Sequence, residues 1–155
     1  LFADEPTTAL DVTTEAQVLD VLKKMQAELG MAVVLISHNL GVIAQMCRRI
    51  YVMYAGTVVE EGTAEDIFYR PAHPYTKGLL ASLPDPTDRD KVLTGIPGQA
   101  PDLFHMPKGC RFYRRCPRAM KVCMEAEPPR EEAGPGHHYT CWLAAAERRM
   151  GDGTH

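Results

Sequence analysis

Apolar and polar positions follow two different rhythms along this chain. Up to residue 70, apolar runs alternate with stretches of helical period. Leu1–Ala3 is a short apolar segment closing on Asp4-Glu5, the form of a strand end. Thr14 and Gln17 have capping-box spacing and predict a helix from Thr14. Val18, Leu22, Met25 and Leu29 share one face of it, and Gly30 stands where a left-handed cap belongs. Met31–Ile36 is a continuous apolar run, expected of a strand buried on both faces. Ser37-His38-Asn39 follows, then a second helix to about Arg48. Ile50–Tyr54 and Thr57–Glu60, on either side of Ala55-Gly56, read as a hairpin. Thr63 and Asp66 predict the cap of a short helix that stops before Pro71. The order strand, helix, strand, helix, hairpin predicts an α/β fold: a parallel sheet with an antiparallel edge.

From Pro71 onward the rhythm breaks. Pro74–Leu83 predicts one helix with Leu79, Leu80 and Leu83 on its inner face. Residues 84–109 hold five prolines and little periodicity, so they read as a wandering connector into an irregular Cys-rich tail. The expected division is therefore 1–70 and 71–155.

Composition narrows the function classes. The chain has 155 residues, 45% of them hydrophobic and 24% charged, enough for a packed core. A net charge of −3 argues against coating nucleic acid by bulk charge. Phe112 and Tyr113 amid basic residues, and Arg148-Arg149 near the end, are weak signals for base stacking and anionic lipid. No apolar run approaches the roughly 20 residues of a membrane span. The start has neither an initiator Met nor a signal-like segment, which suggests a piece of a longer, cytoplasmic protein.

Asp4-Glu5 at a strand tip carries the first candidate chemistry. One carboxylate of such a pair can hold Mg²⁺ through its water shell, and the other can orient and polarise an attacking water. A solvated strand end is the plain alternative. The longer run Asp4-Glu5-Pro6-Thr7-Thr8-Ala9-Leu10-Asp11, with Ser37-His38 ending the next strand, resembles the Walker-B segment, D-loop and switch histidine of ABC ATPases. That resemblance implies the C-terminal part of a P-loop NTPase domain. It makes Asp4 the Mg²⁺ residue, Glu5 the group that activates water, and His38 the sensor of the γ-phosphate. Asp11 would couple two nucleotide sites across a dimer. No Gly-x-x-x-x-Gly-Lys-Ser/Thr and no Leu-Ser-Gly-Gly-Gln occurs, so this polypeptide alone is expected not to hydrolyse ATP.

The tail adds a second likeness. Arg70-Pro71-Ala72-His73-Pro74-Tyr75-Thr76-Lys77-Gly78-Leu79-Leu80, Ile96-Pro97-Gly98 and Gly109-Cys110-Arg111-Phe112 with Cys116 and Cys123 resemble the tail of oligopeptide and dipeptide importer ATPases. Nickel importers share much of this pattern. The resemblance implies an ATP-hydrolysing subunit using ATP and Mg²⁺, peripheral on the cytoplasmic face of the membrane. It implies a second ATPase subunit and transmembrane permeases as partners, and no nucleic acid.

Four of five cysteines, Cys110, Cys116, Cys123 and Cys141, lie within 32 residues at gaps looser than a zinc ribbon's Cys-x-x-Cys. Four thiolates suit an iron–sulfur cluster, with Arg111, Arg114, Arg115 and Arg118 offsetting its charge. The importer resemblance implies a [4Fe–4S] centre here; zinc and reduced structural cysteines are the alternatives. Cys47 reads as a small core residue. His137-His138 reads as a flexible polar loop, with ligation beside Cys141 as the alternative. The contrasting function is a noncatalytic metal- or iron–sulfur-stabilised interaction module.

Overall fold

A computed structural model describes residues 1–84, 95–102 and 104–143. Part of the predicted connector and the pair Arg148-Arg149 lie outside the described residues. The chain divides into two compact units, Leu1–Arg48 and Arg49–His155.

In the first unit, β1 (Phe2–Asp4) pairs in parallel with β2 (Val34–Ile36), Asp4 opposite Ile36. The predicted parallel pair is present, but β2 is not buried on both faces. Phe2, Val34 and Ile36 share one face by register and are all exposed, so no layer covers that face among the described residues. Between them runs α1 (Val12–Leu29), closed by Gly30 in the left-handed conformation, as expected. Its start differs from the expectation at Thr14. Asp11 is the cap, its Oδ1 accepting the Thr13 and Thr14 amides at 3.0 Å each, while the Thr14 hydroxyl donates to Oδ2 at 2.7 Å. A carboxylate that satisfies two orphan amides outcompetes a hydroxyl that satisfies one. Leu19 is the buried residue of α1, whereas Met25 and Leu29 at the end of the predicted stripe are exposed. A shorter helix, α2 (Leu40–Met46), is capped by Asn39, and Cys47 ends it half-buried.

The second unit is built on an antiparallel sheet. Strands β3 (Arg49–Tyr54) and β4 (Thr57–Thr63) form the predicted hairpin, with Ala55 and Gly56 both at positive φ in its two-residue turn. The tail supplies the other two strands, β5 (Arg130–Gly134) and β6 (His137–Thr140), in the order β3-β4-β6-β5. The tail is thus not irregular throughout, and His137 is a buried strand residue rather than part of a flexible loop. These strands are polar and carry no apolar alternation; pairing with the β4 edge orders them.

The Thr63–Asp66 capping box is present and opens α3 (Ala64–Tyr69). Then α4 (Pro74–Ala81) begins at His73 as its cap. Its buried residues are Pro74 and Thr76 at the start; Leu79 and Leu80 are half-buried and Leu83 is exposed, which corrects the predicted inner face. The tail is completed by a 3₁₀ turn at Tyr113–Arg115 and the short α5 (Val122–Glu125). Ile50, Val52, Tyr54, Val59, Ile67 and Phe112 form the apolar core, in which the Phe112 ring meets those of Tyr54, Tyr75 and His73.

Candidate functional site

The parallel register sets the first candidate site. Asp4 ends β1, and the Glu5 amide carries the ladder one step further by donating to Ile36 O at 2.8 Å. Glu5 sits at φ 45°, a backbone state costing about 1–3 kcal/mol in a non-glycine residue, so its side chain is turned out of the strand at some expense. Its two oxygens have separate partners. The Thr8 hydroxyl donates to Oε2 at 2.6 Å, and Oε1 lies 2.8 Å from His38 Nδ1. These contacts, Thr8 first and His38 second, hold the Glu5 carboxyl below its ordinary range. The result is an exposed, ionised carboxylate fixed in direction. With Nδ1 engaged by Glu5, Nε2 is the ring nitrogen left for a second partner.

Asp11 lies apart from that pair, at the head of α1. Its carboxyl is also held low, by the Thr14 hydroxyl first and then by the backbone amides. Thr8 was not singled out from the sequence; its place three residues after Glu5, in a turn closed by Thr8 N–H to Glu5 O at 3.1 Å, is the signal that could have found it.

The second candidate site is the cysteine group. All of the cysteines are free; Cys123 and Cys141 are buried, Cys110 and Cys116 half-buried. The Cys110 amide donates to Cys123 O at 2.8 Å. The adjoining Gly109 cannot be replaced without backbone movement, since a Cβ there would lie 2.3 Å from Cys123 O. Burial raises the thiol of Cys141 to about 11, and Cys110, Cys116 and Cys123 each add to the rise. Burial likewise raises Cys110 and Cys116, with Cys123 contributing to both. Four unpaired thiols that feel one another fit the donor chemistry of a soft metal centre. Among the described residues, however, no group of three His, Cys, Asp or Glu side chains is arranged to hold a metal ion.

The arginines serve these sulfurs less than their sequence positions suggest. Arg118 alone of the four lowers a thiol, Cys116. Arg111 Nη1 donates to Ala55 O at 2.5 Å, and Arg115 donates to Pro97 O and Ile96 O at 2.9 and 2.8 Å. They brace the hairpin turn and the Ile96-Pro97 segment instead.

A further polar node escaped the sequence reading. Glu60 is 1% exposed and accepts the amides of Ala72 and His73 at 2.6 and 3.0 Å, with His137 Nε2 at 2.7 Å. It ties β4, the His-Pro segment and β6 together. His73, itself 1% exposed, accepts the Tyr75 amide at Nδ1, and burial pushes it down to about 4.

Comparison with known proteins defines the class first. Residues 59–123 match the family described as the oligopeptide/dipeptide transporter, C-terminal region. The chain is 51% identical over 143 residues to the dipeptide transport ATP-binding protein DppD of Bacillus subtilis, covering 92% of the chain and 43% of that protein. It is 46% identical over 147 residues to the oligopeptide transport ATP-binding protein OppD of Salmonella typhimurium, covering 95% and 44%. Against OppD of Bacillus subtilis it is 49% identical over 144 residues, covering 92% and 40%. Over residues 59–123 the chain is similar to the C-terminal region of oligopeptide/dipeptide transporters, and it resembles a C-terminal stretch of these ATP-binding proteins while spanning less than half their length. The reading as a noncatalytic interaction module is not favoured.

Proposed function

We propose that this chain supplies the hydrolytic carboxylate and switch histidine of an ATP-driven peptide importer. The observation that carries the reading is the Glu5–His38 contact of 2.8 Å beside Asp4 at the end of a parallel strand. Asp4 holds Mg²⁺ through its water shell. Mg²⁺ held there would supply positive charge against the charge that develops on the transferred phosphoryl group. Glu5, kept ionised by Thr8 and His38, orients the attacking water and accepts its proton as the new P–O bond forms and the bond to ADP breaks. His38 reads the γ-phosphate by donating from Nε2, a contact that requires a proton on both ring nitrogens while Nδ1 donates to Glu5. Asp11 transmits nucleotide state across the dimer from the cap of α1.

In this reading, residues 1–70 complete the nucleotide domain and 71–155 form the importer-type extension. The assembly contains a second ATPase subunit and transmembrane permeases, which this chain contacts from the cytoplasmic side. Among the described residues, no helix is long and apolar enough to cross a membrane, which accords with a peripheral subunit. Cys110, Cys116, Cys123 and Cys141 hold a [4Fe–4S] cluster, with zinc as the competing occupant. Such a cluster would supply iron–thiolate cross-links between these four cysteines, a structural service.

Grafting the chain in place of the matching portion of the Bacillus subtilis dipeptide relative tests the first part. The chimera should hydrolyse ATP, and Glu5→Gln should lower turnover by about 10²-fold or more with nucleotide binding retained. A Glu5→Gln chimera with unchanged turnover refutes the assignment. Anaerobic purification tests the second part: a brown chain with iron and sulfide is expected, whereas a colourless chain with one zinc removes the cluster.

A further inference from the structure

Lys108, Arg111, Arg114 and Arg115 line a single cavity of about 460 Å³ in the second unit. None of the four forms an ion pair with a carboxylate among the described residues. The one acidic residue in the lining, Asp102, already accepts the Phe104 amide at 2.9 Å and contacts His105 Nδ1 at 2.7 Å. Even counting Asp102, four cations against one anion leave three positive charges in excess, on a chain whose net charge is −3.

The cations also differ in freedom. Arg111 and Arg115 are anchored by neutral acceptors, Ala55 O, Ile96 O and Pro97 O, which fix their direction without cancelling their charge. Arg114 spends only Nε, on the Tyr113 hydroxyl at 2.9 Å, so both terminal nitrogens of its fork are open. Lys108 is exposed and has no acceptor among the described residues. Two fixed guanidinium groups and two available donors make a preorganised anion site.

We propose that this cavity binds the pyrophosphate group of a soluble polyphosphate, inorganic pyrophosphate or a nucleoside diphosphate. Charge selects the class. A carboxylate would offset one of three excess charges, and one phosphate about 1.5 to 2, whereas two linked phosphates match the excess. The volume lies within the usual range for small-molecule sites, about 300–1,000 Å³. Ligand bound here bridges Lys108 in the connector to Arg114 in the tail, beside the segment that carries the cysteines. The inference goes beyond the hydrolytic reading and uses none of its residues.

Titration calorimetry on the 155-residue chain tests it, with inorganic pyrophosphate, ADP, orthophosphate and acetate as separate probes. Saturable one-to-one binding of pyrophosphate or ADP below about 1 mM is expected, at least about tenfold tighter than acetate. Affinity for ADP well above that for pyrophosphate identifies the nucleotide as the source, and equal affinities identify the inorganic anion. Lys108→Glu with Arg114→Glu should weaken binding about tenfold or more at an unchanged melting midpoint. If that pair fails to fold, Lys108→Gln with Arg114→Gln, which only removes charge from exposed positions, should show the same direction. Absence of saturable binding, equal binding of acetate, insensitivity to these substitutions, or association only with phosphatidylglycerol vesicles overturns the proposal.

Discussion

The two units of this chain solve opposite problems. In Leu1–Arg48, Phe2, Val12, Leu29 and Ile36 are 80%, 83%, 64% and 50% exposed, while burial is confined to Ala3, Thr7, Leu19, Val42 and Ile43. Yet this thinly packed unit holds the best-defined chemical geometry, Glu5 between Thr8 and His38. The second unit holds an aromatic core around Phe112 and a buried polar node at Glu60, joined through His73. Placing a carboxylate requires only a strand register and a turn. Resisting denaturation requires buried area and satisfied buried polar groups. Within these 155 residues, the defined site geometry and most of the buried area therefore fall in different stretches of chain.

The largest effects should come from the second unit. Phe112→Ala removes a side chain 2% exposed and packed against three rings, and should cost about 3–5 kcal/mol. Glu60→Ala strands the amides of Ala72 and His73 and the ring of His137, and should cost about as much, roughly 3–5 kcal/mol. The only tryptophan, Trp142, donates to Ala126 O within this unit, so its fluorescence under urea reports both losses. A Glu60→Ala chain with an unshifted midpoint would show that the node is not what closes the fold.

Next in size is a pH effect. His73 has an ordinary value of 6.5 and is pushed down to about 4 by burial; nearby Glu60 opposes that shift and Lys77 reinforces it. Above pH 6.5 the ring is neutral in both states and has no linkage effect. As pH falls below 6.5 the unfolded chain takes up a proton that the folded chain refuses, so stability declines until about pH 4. At pH 5 the deficit should be about 2 kcal/mol. Glu61 and Asp66, both held low by hydrogen-bonding partners, lose stability only in a more acidic window, below their ordinary values of 4.5 and 3.8. Urea midpoints at pH 7.5 and pH 5 separate the two. His73→Asn, which has no proton to take up, should flatten the upper window and leave the lower one.

The same contrast explains what could be read in advance. Local chemistry was legible: the left-handed Gly30 cap, the Ala55-Gly56 turn and the Thr63–Asp66 capping box each depend on a few adjacent residues. The Glu5–His38 contact was not read in advance, yet it follows from two consecutive parallel strands that end at Asp4 and Ile36 and bring the residues just beyond them together. Glu60 was hidden by a bulge. A plain two-residue hairpin would put Val59 opposite Val52 and turn Glu60 outward. The shift between Val52 and Met53 instead sets Glu60 opposite Val52, facing inward. The strands β5 and β6 were hidden because a distant edge orders them, not their own pattern. The arginines followed the same rule. Neighbours of cysteines in sequence, they were assigned to sulfur, but the long side chains of Arg111 and Arg115 reach the hairpin turn and the Ile96-Pro97 segment.

The smallest effect falls in the first unit and sharpens the contrast most. Asp11 is a surface residue whose two oxygens organise the first turn of an 18-residue helix. Asp11→Ala should lower helicity in far-ultraviolet circular dichroism and speed amide exchange at Thr13 and Thr14, with the Trp142 transition unmoved. Asp11→Asn keeps an oxygen for both amides, and its NH₂ can donate to the Thr14 hydroxyl, so helicity should be retained. The same pair of variants in the chimeric ATPase separates cap from charge. If Asn restores turnover that Ala loses, Asp11 acts by setting the head of α1; if neither variant is active, the carboxylate charge itself is required. A Trp142 midpoint that falls with Asp11→Ala would break the comparison, since the thin unit would then be sharing the stability of the packed one.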